Sequence, residues 1–137
     1  DYKAEPAPVV AIPKKVPRDS KIVGAGAPIY SNVCQACHGA DGLGGSPRLR
    51  DPETGREFPG LDFANKGGLE LLSGLSDDDI ARTLMTGLHD RSPMRSFRAY
   101  FFSENATQSE KALNERNFWG LVYYVQDLIA AQKVPAK

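Results

Sequence analysis

Five consecutive residues, Cys34-Gln35-Ala36-Cys37-His38, constrain this chain more than any other feature. On a helix, positions i, i+3 and i+4 share one face, so the two thiols and the imidazole point the same way. Two sulfurs can then bond the two vinyl groups of a flat porphyrin while the imidazole turns beneath it to reach iron. The C-x-x-C-H run is the attachment signature of a c-type haem.

Other chemistries fit the run less well. A thioredoxin-like dithiol needs a βαβ setting with an amphipathic helix after the motif. Here Gly39-Ala40-Asp41-Gly42-Leu43-Gly44-Gly45-Ser46-Pro47 follows, which reads as a loop. Zinc draws on a tetrahedral ligand set. The chain has 2 Cys and 2 His, and His89 lies at no zinc-finger spacing from the motif. A disulfide between Cys34 and Cys37 would close too short a loop to stabilise much.

The 137 residues match one small domain, and 41% apolar content supports a modest core around a buried haem. A net charge of zero gives no argument for nucleic acid or an anionic membrane as partner. No apolar run approaches the roughly 18 residues that mark a membrane span, and no signal peptide is present. Residues 1–21 carry Pro6, Pro8, Pro13 and Pro17 among Ala, Val and Lys, the composition of an extended arm or linker. Three roles stand open for it: wrapping the domain surface, tethering the domain, or docking a partner. Residues 22–137 are expected to form one monohaem domain.

Pro28 suits the first turn of a helix, where its missing N–H has no partner to lose, so the first helix is predicted over 28–38. Residues 39–75 read as loops with a short helix near 66–73. Ser76-Asp77-Asp78-Asp79 opens the next helix, with Ser76 as cap and Asp79 returning the hydrogen bond. The acidic trio complements the positive helix end. Ile80, Leu84 and Leu88 form its apolar stripe beside Met85, and Gly87 or Asp90 marks its end. The last helix is predicted from Asn114 to about Gln132, with Phe118, Leu121, Val122, Val125, Leu128 and Ile129 as its apolar face. No strand pattern is evident. The expected fold class is all-α, three to four helices with long loops wrapped around one covalently bound haem, since loops this long call for a cofactor to pack against.

Over roughly residues 24 to 132 the chain resembles class I cytochrome c, the small monohaem c-type cytochromes. Gly26, Tyr30 and Cys34 repeat that family's small residue, aromatic and first cysteine at four-residue steps, and Leu121 and Tyr124 look like their counterparts on the last helix. The resemblance implies that the first and last helices cross closely at the small residue. It also implies that Pro47, in Pro47-Arg48-Leu49, offers its carbonyl to the His38 Nδ1–H, fixing the ring.

For the sixth iron ligand the resemblance points to Met94, in a loop seven residues after Gly87, because Met/His ligation is typical of electron-transfer cytochromes c. Met85, at helical spacing, reads as core. Many relatives place proline directly after the ligand; here Pro93 precedes Met94 and Arg95 follows it. His89, giving bis-histidine ligation, and an open site are the rivals.

The function so implied is one-electron transfer by a six-coordinate His/Met haem c, with no substrate transformed at the metal. The alternatives are a haem domain or subunit of a larger redox enzyme complex, or a haem enzyme or gas sensor with an open sixth site. Arg91, Arg95 and Arg98 would steer acidic redox partners to the haem edge or bond the haem propionates themselves. Tyr100-Phe101-Phe102 would cover the haem or face a partner. Because the family's haem is attached outside the cytoplasm, the expected location is a periplasm or equivalent lumen, the export signal being absent from this chain.

Overall fold

The computed structural model describes residues 11–44, 50, 52–56, 63, 74–87, 94 and 96–132. Among them five helices appear: α1 (Ser20–Val33), α2 (Gln35–His38), α3 (Asp77–Thr86), α4 (Arg98–Phe101) and α5 (Gln108–Gln132). No strand forms among these residues, so the architecture is all-α. The short helix expected near 66–73 lies outside the described residues.

Helix α1 begins at Ser20, eight residues before the predicted start. Asp19 caps it: its backbone is extended and its carboxylate accepts the Ile22 N–H at 2.8 Å. Pro28 therefore sits inside the helix, where it removes a donor. Burial of Ile22 and Gly26 on one side of α1 outweighs that loss, since helices in proteins are held more by packing than by propensity. The boundary placed at residue 21 thus falls inside α1.

The fold centres on the crossing of α1 with α5. A Cβ built on Gly26 would lie 2.5 Å from the carbonyl carbon of Gly120 and 2.9 Å from the Leu121 nitrogen. One on Gly120 would lie 3.2 Å from the Gly26 nitrogen. Only hydrogen at both positions permits so close an approach of two backbones. One helical turn on, Tyr30 meets Tyr124 with ring centroids 5.3 Å apart. Close packing of the α1 and α5 backbones brings large side chains on both sides into the core, including Tyr30, Phe118, Leu121 and Val122, all nearly inaccessible.

Helix α3 packs on this pair. Ser76 and Asp79 form the expected reciprocal cap: Ser76 Oγ accepts the Asp79 N–H at 3.1 Å, and the Asp79 carboxylate accepts the Ser76 N–H at 2.9 Å. Those contacts, the backbone one first, hold the Asp79 carboxyl below the usual range. Ile80, Leu84 and Met85 are buried as their spacing requires. Gly87, with φ of 70°, ends the helix where a side chain would be strained.

Helix α5 starts at Gln108, six residues before the predicted Asn114. Thr107 Oγ1 accepts the Glu110 N–H and the Glu110 carboxylate accepts the Thr107 N–H, each at 3.2 Å. This second capping box, Thr107-x-x-Glu110, turns part of the polar run 103–111 into helix. The helix runs to Gln132, as expected.

Trp119 and Tyr123 are also buried, although they lie off the predicted apolar face. Residues 11–19 cover them. Ile12 and Val16 pack on the core, and Tyr123 donates its hydroxyl to the Val16 carbonyl. Lys15 sits 5.4 Å over the Trp119 ring and pairs with Asp78 at 3.3 Å. Arg18 sits 4.7 Å over Tyr123 and pairs with Asp127 at 2.6 Å. Over these residues the arm is a docked strap rather than a free linker.

Candidate haem site

Helix α1 delivers the motif. It hesitates at Cys34, which closes α1 and opens α2. The Cys34 carbonyl accepts from both the Cys37 N–H at 3.2 Å and the His38 N–H at 3.0 Å. The three side chains thus belong to a single helical turn, the disposition that two thioethers and an imidazole need on one porphyrin. Both thiols are free; Cys34 is buried and Cys37 exposed. Burial, then the neighbouring Cys37, pushes the Cys34 thiol up to about 12. A nucleophilic thiol of a dithiol enzyme needs the opposite shift, so Cys34 is poorly suited to that role. One sulfur facing the core and one facing solvent suits a flat group inserted edge-on, with one rim left accessible.

The loop after the motif is folded back on it. Gly44 donates its N–H to the His38 carbonyl at 2.7 Å. Gly39 has φ of 80°, and a Cβ there would lie 3.0 Å from the Gly44 carbonyl carbon. The buried Tyr30 hydroxyl donates to the Gly39 carbonyl at 2.7 Å, tying the helix crossing to the end of the motif. Burial first, and nearby Cys34 second, raises the Tyr30 pKa, so this hydroxyl stays a donor.

Phe63 closes the other flank. Its N–H donates to Gly42 at 2.6 Å, and its ring stacks on the His38 imidazole with centroids 4.9 Å apart. A Cβ on Gly42 would lie 2.5 Å from that ring. The sequence shows Phe63 only as one apolar residue among loop signals. Its pairing with His38 depends on a long-range return of the chain, which spacing does not reveal.

Met94 is half-buried and packs against the apolar cluster that Cys34 also enters. The residues just after it are pinned to the end of α3. Ser96 Oγ donates to the Met85 carbonyl at 2.6 Å, and the Phe97 N–H donates to the Leu84 carbonyl at 2.8 Å. Met85 is 7% exposed and packs in the core on α3, as its helical position predicts. Pro47, Arg48, His89, Arg91 and Arg95 lie outside the described residues. Arg98, on α4, is exposed. Arg50 is exposed and donates to the Gly55 carbonyl at 3.0 Å. Of the aromatic run, Phe101 is buried edge-on against Phe118 at 5.4 Å, while Tyr100 is 54% exposed.

The cytochrome c family model matches residues 23–128. With its all-α fold and its motif on one helical turn, the chain belongs to the cytochrome c family. Its cofactor is a covalently attached haem c, one for a single domain of this size. It is a haem c electron-carrying protein and thus works with redox protein partners; such domains are generally not enzymes, though they also occur as parts of oxidoreductases. Comparisons with curated proteins and with solved structures returned no match. No described helix is long and apolar enough to cross a membrane.

Proposed function

We propose that this chain is a one-electron carrier whose haem is held by Cys34 and Cys37 and ligated by His38 and Met94. The single observation that carries the reading is the placement of Cys34, Cys37 and His38 on one turn, with one thiol buried and one exposed. When bound, haem supplies a ferric/ferrous couple that exchanges one electron with no bond made or broken to a substrate.

The protein's part is to hold and to exclude. The two sulfurs fix the group to α1 and α2, and the His38 imidazole supplies one ligand nitrogen. Pro47 carbonyl, as hydrogen-bond acceptor for the other ring nitrogen, orients it. Met94 supplies a thioether sulfur, which favours the reduced state relative to a second imidazole. The hydrogen bonds from Ser96 and Phe97 to α3 limit the drift of the Met94 segment. Phe63 and the core around Cys34 keep water from the inner face. A ligand set that stays intact in both redox states needs little reorganisation, which is what rapid exchange requires.

Partners acidic at their docking face are steered by Arg91, Arg95 and Arg98, and the steering weakens as salt is raised. The protein works in a periplasm or equivalent lumen, in keeping with the usual export of such domains. The test combines two measurements. Denatured protein should keep its haem colour, because thioether bonds survive unfolding, and the native ferrous protein should bind no carbon monoxide. Loss of colour would refute covalent attachment, and rapid carbon monoxide binding would mean an open sixth site and a catalytic or sensing role.

A further inference from the structure

A groove of about 380 Å³ lies apart from the motif, between the strap, α3, α4 and the first turns of α5; none of Cys34, Cys37, His38 or Met94 lines it. Its floor is apolar, made by Ile12, Pro13, Met85, Phe102 and Ala106. Two cations stand on its wall, Arg98 from α4 and Lys111 from α5, with the Asn114 amide beside them and one acid, Glu115. The Arg98, Lys111 and Glu115 side chains have no hydrogen-bond or ion-pair partner among the described residues, unlike Lys15 and Arg18 on the strap.

An apolar floor lies beneath two exposed cations that no described residue pairs, and a few polar groups over an apolar concavity are features of a small-ligand site. Two cations against one acid select an anion. The half-buried Phe102 ring and the Met85 thioether suit a flat or branched apolar body. The groove's volume falls within the range of small-molecule sites and is too small for a folded partner element.

We propose that this groove binds a small monocarboxylate with an aromatic or branched apolar body, its carboxylate between Arg98 and Lys111 and its body on Phe102, Met85 and Ile12. The strap forms one wall, so the site exists only while residues 11–13 are docked.

The test uses the haem-loaded, reduced full chain and 3-phenylpropionate, followed by NMR of the Met85 methyl, Ile12 methyl and Asn114 side-chain amide signals. Saturable shifts of these signals are expected with a Kd on the order of 1 mM, as a ligand of this size supports. Two comparison compounds separate head from tail: 3-phenylpropanol and acetate should each bind at least about fivefold more weakly, the scale of an exposed charge contact. Two variants move affinity in opposite directions. Lys111→Gln should weaken binding about fivefold, and Glu115→Gln should strengthen it by a smaller factor. Lys111 is exposed and Glu115 half-buried at the groove edge of α5; unchanged far-ultraviolet circular dichroism checks that both variants keep the fold. No saturable shift up to about 10 mM, ten times that Kd, overturns the proposal. So does equal binding of 3-phenylpropanol, shifts centred away from the groove, or the same direction of change in both variants.

Discussion

The α1–α5 crossing and the haem-facing side of the same helices are built on different terms. At the crossing the chain satisfies itself: Gly26 and Gly120 bring the backbones into contact, Tyr30 and Tyr124 pack beside them, and the residues around them are inaccessible. On the proposed haem side, Cys34 and His38 share one turn, whereas Phe63 and Met94 come from separate segments. Gly44 ties His38, Gly42 ties Phe63, and Ser96 and Phe97 tie the Met94 segment, while Cys34, Phe63 and Met94 also join the apolar core. The crossing fixes where α1 ends, and hence where the motif stands. The loops only present the remaining groups. Substitutions at the crossing should therefore cost stability, whereas those on the haem side should change the spectrum and the potential.

The largest expected loss breaks the crossing itself. Replacing a helix-interior glycine by alanine ordinarily gains up to about 1 kcal/mol. Gly26→Ala should instead lose about 3 kcal/mol, because the new Cβ meets the backbone of α5, which has no rotamer with which to move aside. Urea denaturation of the haem-loaded protein reads the change. A stabilised variant would show that the two backbones are not in contact.

Tyr30→Phe tests the link between the two regions. It removes the bond to the Gly39 carbonyl while keeping the ring, and should cost about 1.5 kcal/mol in the same assay. Since that bond ties the crossing to the motif's end, a shift in midpoint potential should accompany it. A loss of stability with no change in potential would show that the two regions are uncoupled.

Ser76→Ala removes one reciprocal cap far from the motif, at a cost of about 1 kcal/mol. The same cap has a pH signature. The Asp79 carboxyl is held below its ordinary value in the folded chain, so its stabilisation is complete above the unfolded value and is lost as pH falls through the folded one. Asp79→Asn should flatten that part of the acid-side stability profile and leave neutral pH and above without any further pH dependence from this residue. The smallest effect is expected for Asp127→Ala, which leaves Arg18 over Tyr123. The exposed pair of Asp127 with Arg18 is worth about 0.5 kcal/mol or less, and the difference should shrink further in high salt.

What the sequence disclosed follows the same division. Local devices were legible: the motif's one-sided turn, the Ser76–Asp79 cap, the stop at Gly87 and the apolar face of α5 all follow from neighbours within a turn or two. Gly26 was legible through resemblance, but its partner Gly120 was not, because a close approach has no signature on one helix alone. The start of α1 was misplaced because Pro28 is favoured at a first turn, yet Asp19 caps the helix earlier and packing on α5 carries it through the proline. The start of α5 was misplaced despite a readable signal, the Thr107-x-x-Glu110 box. Burial of Trp119 and Tyr123 was hidden for another reason. Both residues lie off the apolar stripe, and only the return of residues 11–19 covers them.

The central claim is that His38 and Met94 close the iron site, with Met85 serving as core. The most direct measurement is the ferric absorption spectrum of two variants, followed at the weak long-wavelength band that marks methionine sulfur on haem iron. Met94→Ala should abolish the band and open the site to carbon monoxide in the ferrous state. Met85→Ala should keep the band while losing about 2–3 kcal/mol of stability through the cavity it leaves. A band that survives in Met94→Ala and disappears in Met85→Ala would contradict the account.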